Sequence, residues 1–354
     1  MQAPHIHYAV LNGRDHRVLQ QVGVDGSRLH LVPNPVAPFG SLPDRDRARQ
    51  ALDDRFHVAP DRHYVLYPVR GIRRKNVGEA LLWSALAGPH ASIGITLPPI
   101  NPAEGSSYAR WKELASELEL PCLFDVGAPG GLTYLDNLAA ADTILTTSVA
   151  EGFGMVFLEC WLAGRPLVGR DLPEITQDFR AAGIHFPGLF PQLTVPVEWV
   201  GQEEFRTAIE SAYVRACADF GTRPGSVQQL RSTIDALVQD GLVDFARLRW
   251  TDQARIIRSL RQDPQRASQF HDCNPWIRES LSPDRPGAAT TIEKNAAVVR
   301  TEYSLESTGH RLLELYHSIL TSDRDDPITP PGDGTRVLET FLDPARLHPI
   351  RLES

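Results

Sequence analysis

Between about residues 61 and 180, compact apolar runs alternate with amphipathic stretches, and this alternation restricts the fold more than any other feature of the chain. His63 to Arg70, Ala91 to Pro98, Cys122 to Gly127, Asp142 to Ser148 and Arg165 to Asp171 read as five strands. They are nearly continuous in apolar residues, as strands buried on both faces are. Helical stretches separate them, over Lys75 to Gly88, Ser107 to Leu120, Leu132 to Ala141 and Gly154 to Ala163. Val77, Leu81, Leu82 and Leu86 fall near helical spacing, and Gly88–Pro89 is a stop signal. Strands alternating with helices across short loops predict a parallel α/β sheet covered on both faces.

The flanks read differently. Residues 1–60 are a connector, with a short apolar run at Tyr8 to Leu11 and a strand-like Leu29 to Val36. Asp44 to Phe56 has the pattern of a short charged helix. The α/β unit is set at 61–200, a mostly helical extension at 201–322 and a flexible tail at 323–354, where Asp, Pro and Gly are frequent. With 36 basic and 44 acidic residues the net charge is −8, which argues against nucleic-acid binding through overall charge. The four cysteines, at 122, 160, 217 and 273, form no Cys-x-x-Cys pair, so neither a zinc ribbon nor a secreted disulfide framework is expected. No apolar run reaches the ~18–20 residues of a membrane span. The expected location is the cytoplasm, and nothing indicates a membrane partner.

Ligands of parallel sheets bind outside the carboxyl ends of strands, and three segments fall there. Arg70, Arg73, Arg74 and Lys75 crowd the end of the first strand. Clustered cations suit a diphosphate, through charge-assisted bonds of ~1.5–3 kcal/mol each; taken alone, a solvated basic turn is the plainer reading. After the fourth strand, Ser148 is followed by Glu151, Gly152, Phe153 and Gly154, and Glu159 lies one turn into the next helix. The glycines allow a ligand close to the backbone, and amides opening a helix lack internal partners. A carboxylate there repels a bare phosphate, so sugar or ribose hydroxyls are its natural partners. Asp171 and Glu174 border the same crevice, where solvation or helix capping explains each taken singly.

Together these residues resemble the nucleotide-sugar-binding half of retaining glycosyltransferases of the GT-B fold, in particular glycosyltransferase family 4. The family's two glutamates, separated by seven residues around E-G-F-G, stand here as Glu151 and Glu159 in EGFGMVFLE. Its Arg and the Lys five residues later match Arg70 and Lys75. Pro33–Asn34, LDNLAAAD and AGRPLV also fit, so the resemblance covers about residues 8–180 and a helix near 304–321. It implies a Rossmann-like parallel sheet of a GT-B donor domain with a helical C-terminal extension, and a sugar transferred with retained configuration. Arg70 and Lys75 would neutralise the donor diphosphate, and Glu151 with the amides of Gly152, Phe153 and Gly154 would hold the sugar. Glu159 would bind the ribose, and Ser148 is a further donor-side candidate. It implies no protein-bound metal and no cofactor beyond the nucleotide-sugar co-substrate, whose base is left open, as is the acceptor.

The family has two similar halves, and residues 1–36 resemble only the exit of the first, acceptor-binding one. The expectation is therefore a donor domain that is active when an acceptor half, on the same or a separate chain, is supplied. The alternatives are a catalytically inactive nucleotide-sugar-binding or scaffold protein, and another GT-B enzyme such as a sugar-nucleotide epimerase.

Overall fold

The computed structural model describes residue 3 and residues 5–280, 287–321 and 335–353. The chain opens with a parallel pair, β1 (Tyr8–Val10) and β2 (Leu29–Leu31), joined through α1 (Gly13–Gln21). β2 stops short of the expected Val36 because Pro33 and Pro35 have no amide to donate. α2 (Arg45–Phe56) follows, capped by the Asp44 carboxylate.

The central sheet is then laid down from its middle outward. β3 (His63–Arg70) leads through α3 (Val77–Ala87) to β4 (Ala91–Leu97). From there α4 (Pro102–Glu117) leads to β5 (Cys122–Phe124) at one edge. The chain returns through α5 (Tyr134–Ala140) to β6 (Thr143–Thr146) on the other side of β3. It continues through α6 (Val156–Leu162), β7 (Leu167–Arg170) and α7 (Pro173–Ala181) to β8 (Leu189–Phe190). The order is β5-β4-β3-β6-β7-β8, with every pairing parallel. This is the doubly wound arrangement, whose switch point lies between β3 and β6. α4 starts before the expected Ser107, since Asn101 caps it and Pro102 occupies its first turn, a position where proline is tolerated.

The extension is helical apart from one small antiparallel pair. β9 (Thr194–Pro196) precedes α8 (Gln202–Asp219) and α9 (Val227–Asp235), and β10 (Leu242–Asp244) comes back to pair with β9. α10 (Trp250–Gln262), α11 (Pro264–Cys273), α12 (Ile277–Ser280), α13 (Ala288–Glu302) and α14 (Leu305–Leu320) follow. α10 packs on α3, and α13 on α6. The expected flexible tail falls outside the described residues up to position 334. From Thr335 the chain forms α15 (Thr335–Phe341) and two single turns, Pro344–Arg346 and Pro349–Arg351, which return to the carboxyl end of the sheet. Among the described residues, no helix is long and apolar enough to cross a membrane.

Alternate residues of β3 feed two cores. Val65, Tyr67 and Val69 join the side built from α3 and the helical extension, with Trp83, Phe205 and Ile257. Tyr64 and Leu66 join the opposite side, with Phe157, Phe179 and Val299. That is the period-two pattern of a strand covered on both faces.

One buried ion cluster ties the sheet to the extension. Arg170, at the end of β7, donates to both oxygens of Asp244 at 2.8 Å and to Glu79 of α3 at 2.6 Å. Burial pushes Glu79 up to about 7 against the pull of Arg170, while the same arginine holds Asp244 low despite its burial. Beside it, Gly169 has φ +125, and a Cβ there would sit 1.9 Å from the Thr146 carbonyl oxygen of β6. Arg170→Leu strands two buried carboxylates and should cost ~3–5 kcal/mol in urea unfolding; a loss below ~1 kcal/mol, the worth of a surface pair, would show that the cluster is not structural.

Candidate active site

The loops at the switch point are tied to each other before any ligand arrives. The turn Arg73–Lys75 follows β3, and Asn76 adopts left-handed backbone with φ 48 between that turn and α3. Thr147, just past β6, donates its hydroxyl to the carbonyls of Lys75 (2.9 Å) and Asn76 (3.1 Å). Val149 donates its amide to the Arg74 carbonyl at 2.9 Å. The buried Tyr67 hydroxyl donates to the Lys75 carbonyl at 2.7 Å and lies 3.1 Å from Ser148 Oγ.

On this frame Lys75 Nζ meets Glu151 Oε1, while Arg74 reaches Oε2 of the same carboxylate at 2.6 Å. Glu151 is 8% exposed, so its charge depends on these partners. Burial raises its pKa, but Lys75 and Arg74 outweigh burial and hold it below the usual carboxylate value. Burial is the largest influence on Lys75, whose pKa is lowered although Glu151 pulls it up. The result is an ionised carboxylate at a strand end with a desolvated ammonium against it.

The glycine loop has a defined shape. Gly154 has φ +83, and a Cβ there would come within 2.6 Å of the Phe157 ring. Gly152 meets nothing within 4 Å of such a Cβ, so its face is open. Its carbonyl accepts 2.6 Å from Asn12 Nδ2, which locks the loop to the cap of α1. The side chain of Phe153 is buried against Phe179 and Tyr303, which leaves only its backbone to face a ligand. Among the described residues, the amides of Gly152, Phe153 and Gly154 donate to no protein acceptor.

The residues singled out in the sequence do not all converge. Lys75, Glu151, Ser148 and the glycine loop lie together. Arg70 is exposed at the end of β3 and donates to the Pro98 carbonyl at 3.3 Å, outside the Lys75–Glu151 contact. Glu159 stands apart from Glu151, half-buried, and accepts from the Tyr134 hydroxyl at 2.9 Å. Burial raises the Glu159 pKa, and Tyr134 opposes this. Asp171 is held by the side chains of Thr176 (2.6 Å) and Arg180 (3.1 Å) of α7. Arg74 was read only as part of a basic cluster, yet it is the second cation on Glu151. Tyr134 and Asn12 were not found, since neither lies in a motif.

With this geometry, the chain can be compared with known proteins. No protein-family model matches it. A mannosylglucosyl-3-phosphoglycerate synthase of Petrotoga mobilis is 29% identical over 183 residues, covering 49% of this chain and 35% of that protein. The matched region thus spans about a third of that relative's length. A glycosyltransferase structure from Rickettsia africae superposes with a TM-score of 0.50 at 14% identity, covering 90% of this chain and 64% of that one. A complex of Anabaena Alr3699/HepE with UDP and glucose gives 0.47 at 16% identity, over 88% and 63% of the two chains. The parallel α/β fold implied by the sequence resemblance is the GT-B fold these comparisons bear out.

The ionic character of the Glu151 contact has a pH signature. Because its folded pKa is depressed, the pair stabilises the fold above the ordinary glutamate value of 4.5 and loses that contribution as pH falls through the folded value. The stability advantage of wild type over Glu151→Gln in urea unfolding should therefore narrow as pH falls from about 5 to about 3. A constant gap would mean that Glu151 is not held as an anion.

Proposed function

We propose that this chain supplies the donor site of a glycosyltransferase, moving a sugar from a nucleotide-sugar to an acceptor. The observation that carries the reading is the Lys75–Glu151 contact at the switch point of a doubly wound sheet. The curated relative, a sugar-transferring synthase by its name, supports the same chemical class. In the finer reading the enzyme belongs to family 4, retains configuration and moves a hexose.

The chemistry follows from the side chains. Transfer breaks the bond between the anomeric carbon and the diphosphate oxygen and forms one to the acceptor oxygen, with a proton released from the acceptor. Negative charge grows on the departing diphosphate. A desolvated Lys75 ammonium already in place stabilises that charge without reorganisation, an effect worth several kcal/mol in a site shielded from water. Arg70, solvent-facing at the same strand end, closes on the diphosphate as a second cation. The free amides of Gly152, Phe153 and Gly154 add donors.

Glu151 has the opposite task. An ionised carboxylate only accepts hydrogen bonds, so it selects hydroxyls of the sugar. Donor binding then places the diphosphate on Lys75 and frees Glu151 oxygens for the sugar, while Arg74 keeps the carboxylate charged. Glu159 and Tyr134 lie beyond the glycine loop, where one acceptor and one hydroxyl can grip a ribose diol.

Calorimetric titration with UDP, GDP and ADP, and with their sugar conjugates, tests this reading and identifies the base. Lys75→Ala should weaken binding of the preferred nucleotide about ten- to a hundred-fold. Absence of binding to all three by folded protein would overturn the reading. Glu159→Ala should weaken the bare nucleoside diphosphate, whereas Glu151→Ala should mainly weaken the sugar conjugate. Equal losses on the bare nucleotide would refute that division of labour.

A further inference from the structure

A cavity opens beside Glu151. It has a volume of about 470 Å³; Glu151 and Gly152 line it, whereas Lys75, Arg70 and Glu159 do not. Its wall comes from the loops after β6, β7 and β8, from α1, from the turn after β10, and from α15 and the C-terminal turns. Six arginines face it, namely Arg14, Arg74, Arg170, Arg247, Arg346 and Arg351. The carboxylates in its lining are Glu151, Asp171, Glu174 and Asp244.

The acids are already taken. Glu151 holds Lys75 and Arg74, Asp171 holds Arg180, and Asp244 holds Arg170. Glu174 pairs with Arg346 and lies 3.6 Å from Arg14, which also has Asp15 at 2.8 Å. Two guanidinium groups remain without a direct ion pair among the described residues. Arg247 donates to the carbonyls of Leu347 (3.0 Å) and Ala345 (2.5 Å), and the nearby Asp244 and Asp343 offset part of its charge. Arg351 is exposed; its amide donates to the His348 carbonyl at 3.0 Å, and its side chain makes no hydrogen bond or ion pair among the described residues. Desolvation at the wall and the neighbouring Arg74 and Arg14 lower its pKa. The half-buried His348 beside them stays neutral, its pKa pushed down to about 3, first by desolvation and then by Arg247.

The segment carrying Arg351 is fastened in place. The Arg73 guanidinium donates to the Glu353 carbonyl, and the Glu353 carboxylate accepts the Trp250 amide at 3.1 Å. Arg247 holds the turn before it. An unpaired guanidinium is thus presented by a tethered turn to a cavity that already has a surplus of positive charge.

We propose that this cavity is an acceptor subsite for a small molecule bearing a phosphate or carboxylate, with Arg351, Arg14 and Arg74 gripping the anionic group. The assignment of the bound molecule as acceptor rests on the donor reading above, since Glu151 and Gly152 form a wall shared by the two sites. A guanidinium fork matches both oxyanions, and an anion relieves the crowding of three like charges. The other source of such a ligand group is the donor's own diphosphate. The position of Lys75 outside this cavity favours the acceptor.

Inorganic phosphate is the probe, titrated calorimetrically at ionic strength held constant with chloride. Wild-type protein should bind it, and Arg351→Gln should weaken that binding about tenfold or more, the scale of one lost charge-assisted bond. Arg351→Lys should recover part of the loss, and Lys75→Ala should weaken phosphate binding less than Arg351→Gln does. Phosphate should bind equally well in the presence of saturating nucleotide. Competition with nucleotide, or an equal loss in Lys75→Ala, would assign the phosphate to the donor site and overturn the proposal. So would an Arg351→Gln protein of unchanged circular dichroism that binds phosphate normally, or a wild type that binds none. If no nucleotide binds but phosphate binding still depends on Arg351, the donor reading fails while the anion site stands.

Discussion

Arg170 is the residue on which the architecture turns. It ends β7, and its guanidinium is 3% exposed, a position tolerable only with full compensation. Glu79 from α3 and Asp244 from β10 supply it. The Asp244 carboxylate also caps the turn that follows through the Ala246 amide, at 3.1 Å. Glu79 accepts in addition from Asn76 at 2.9 Å, and Asn76 receives a bond from Gln253 of α10 at 3.3 Å. The backbone that orients Lys75 is therefore continuous, through hydrogen bonds, with the helical extension. A buried ion cluster of this kind adds little net stability over an apolar replacement, but it penalises every arrangement in which its partners fail to meet.

The strand order then determines where chemistry can occur. Starting a sheet in the middle and winding both ways leaves the loops after β3 and β6 diverging from adjacent strands. The hydroxyl of Thr147 and the amide of Val149 stitch those loops together, so Lys75 and Glu151 are presented by a stiff frame. Preorganisation of this sort is what electrostatic stabilisation requires, because dipoles already aligned cost nothing to align during reaction.

The sheet was legible because its strands are long apolar runs broken by glycine and proline, a local signal. So were Lys75, Glu151 and the glycine loop, which sit in short motifs. What could not be read was set by distance. Arg74 looked like one cation of four, and only the fold of the β6 loop singles it out. Asn12 lies 140 positions from the Gly152 carbonyl that it holds, and nothing local marks that pairing. β8, β9 and β10 escaped notice because the alternation of apolar runs over 61–180 that marks the other sheet strands does not extend to them. The partners of the two glutamates are likewise three-dimensional: Glu151 meets Lys75 and Arg74, while Glu159, eight positions on, meets Tyr134.

The fastening of Arg73 to Glu353 closes a loop of 280 positions. Contacts so remote in sequence form only after the intervening chain has lost its freedom, so they are made late. During synthesis the sheet and its switch-point loops can assemble while the C-terminal turns are still unmade. For that interval the nascent protein has one half of its binding surface and lacks the arginine wall of the other. The cavity beside Glu151 is therefore closed only once the segment from Thr335 onward has docked.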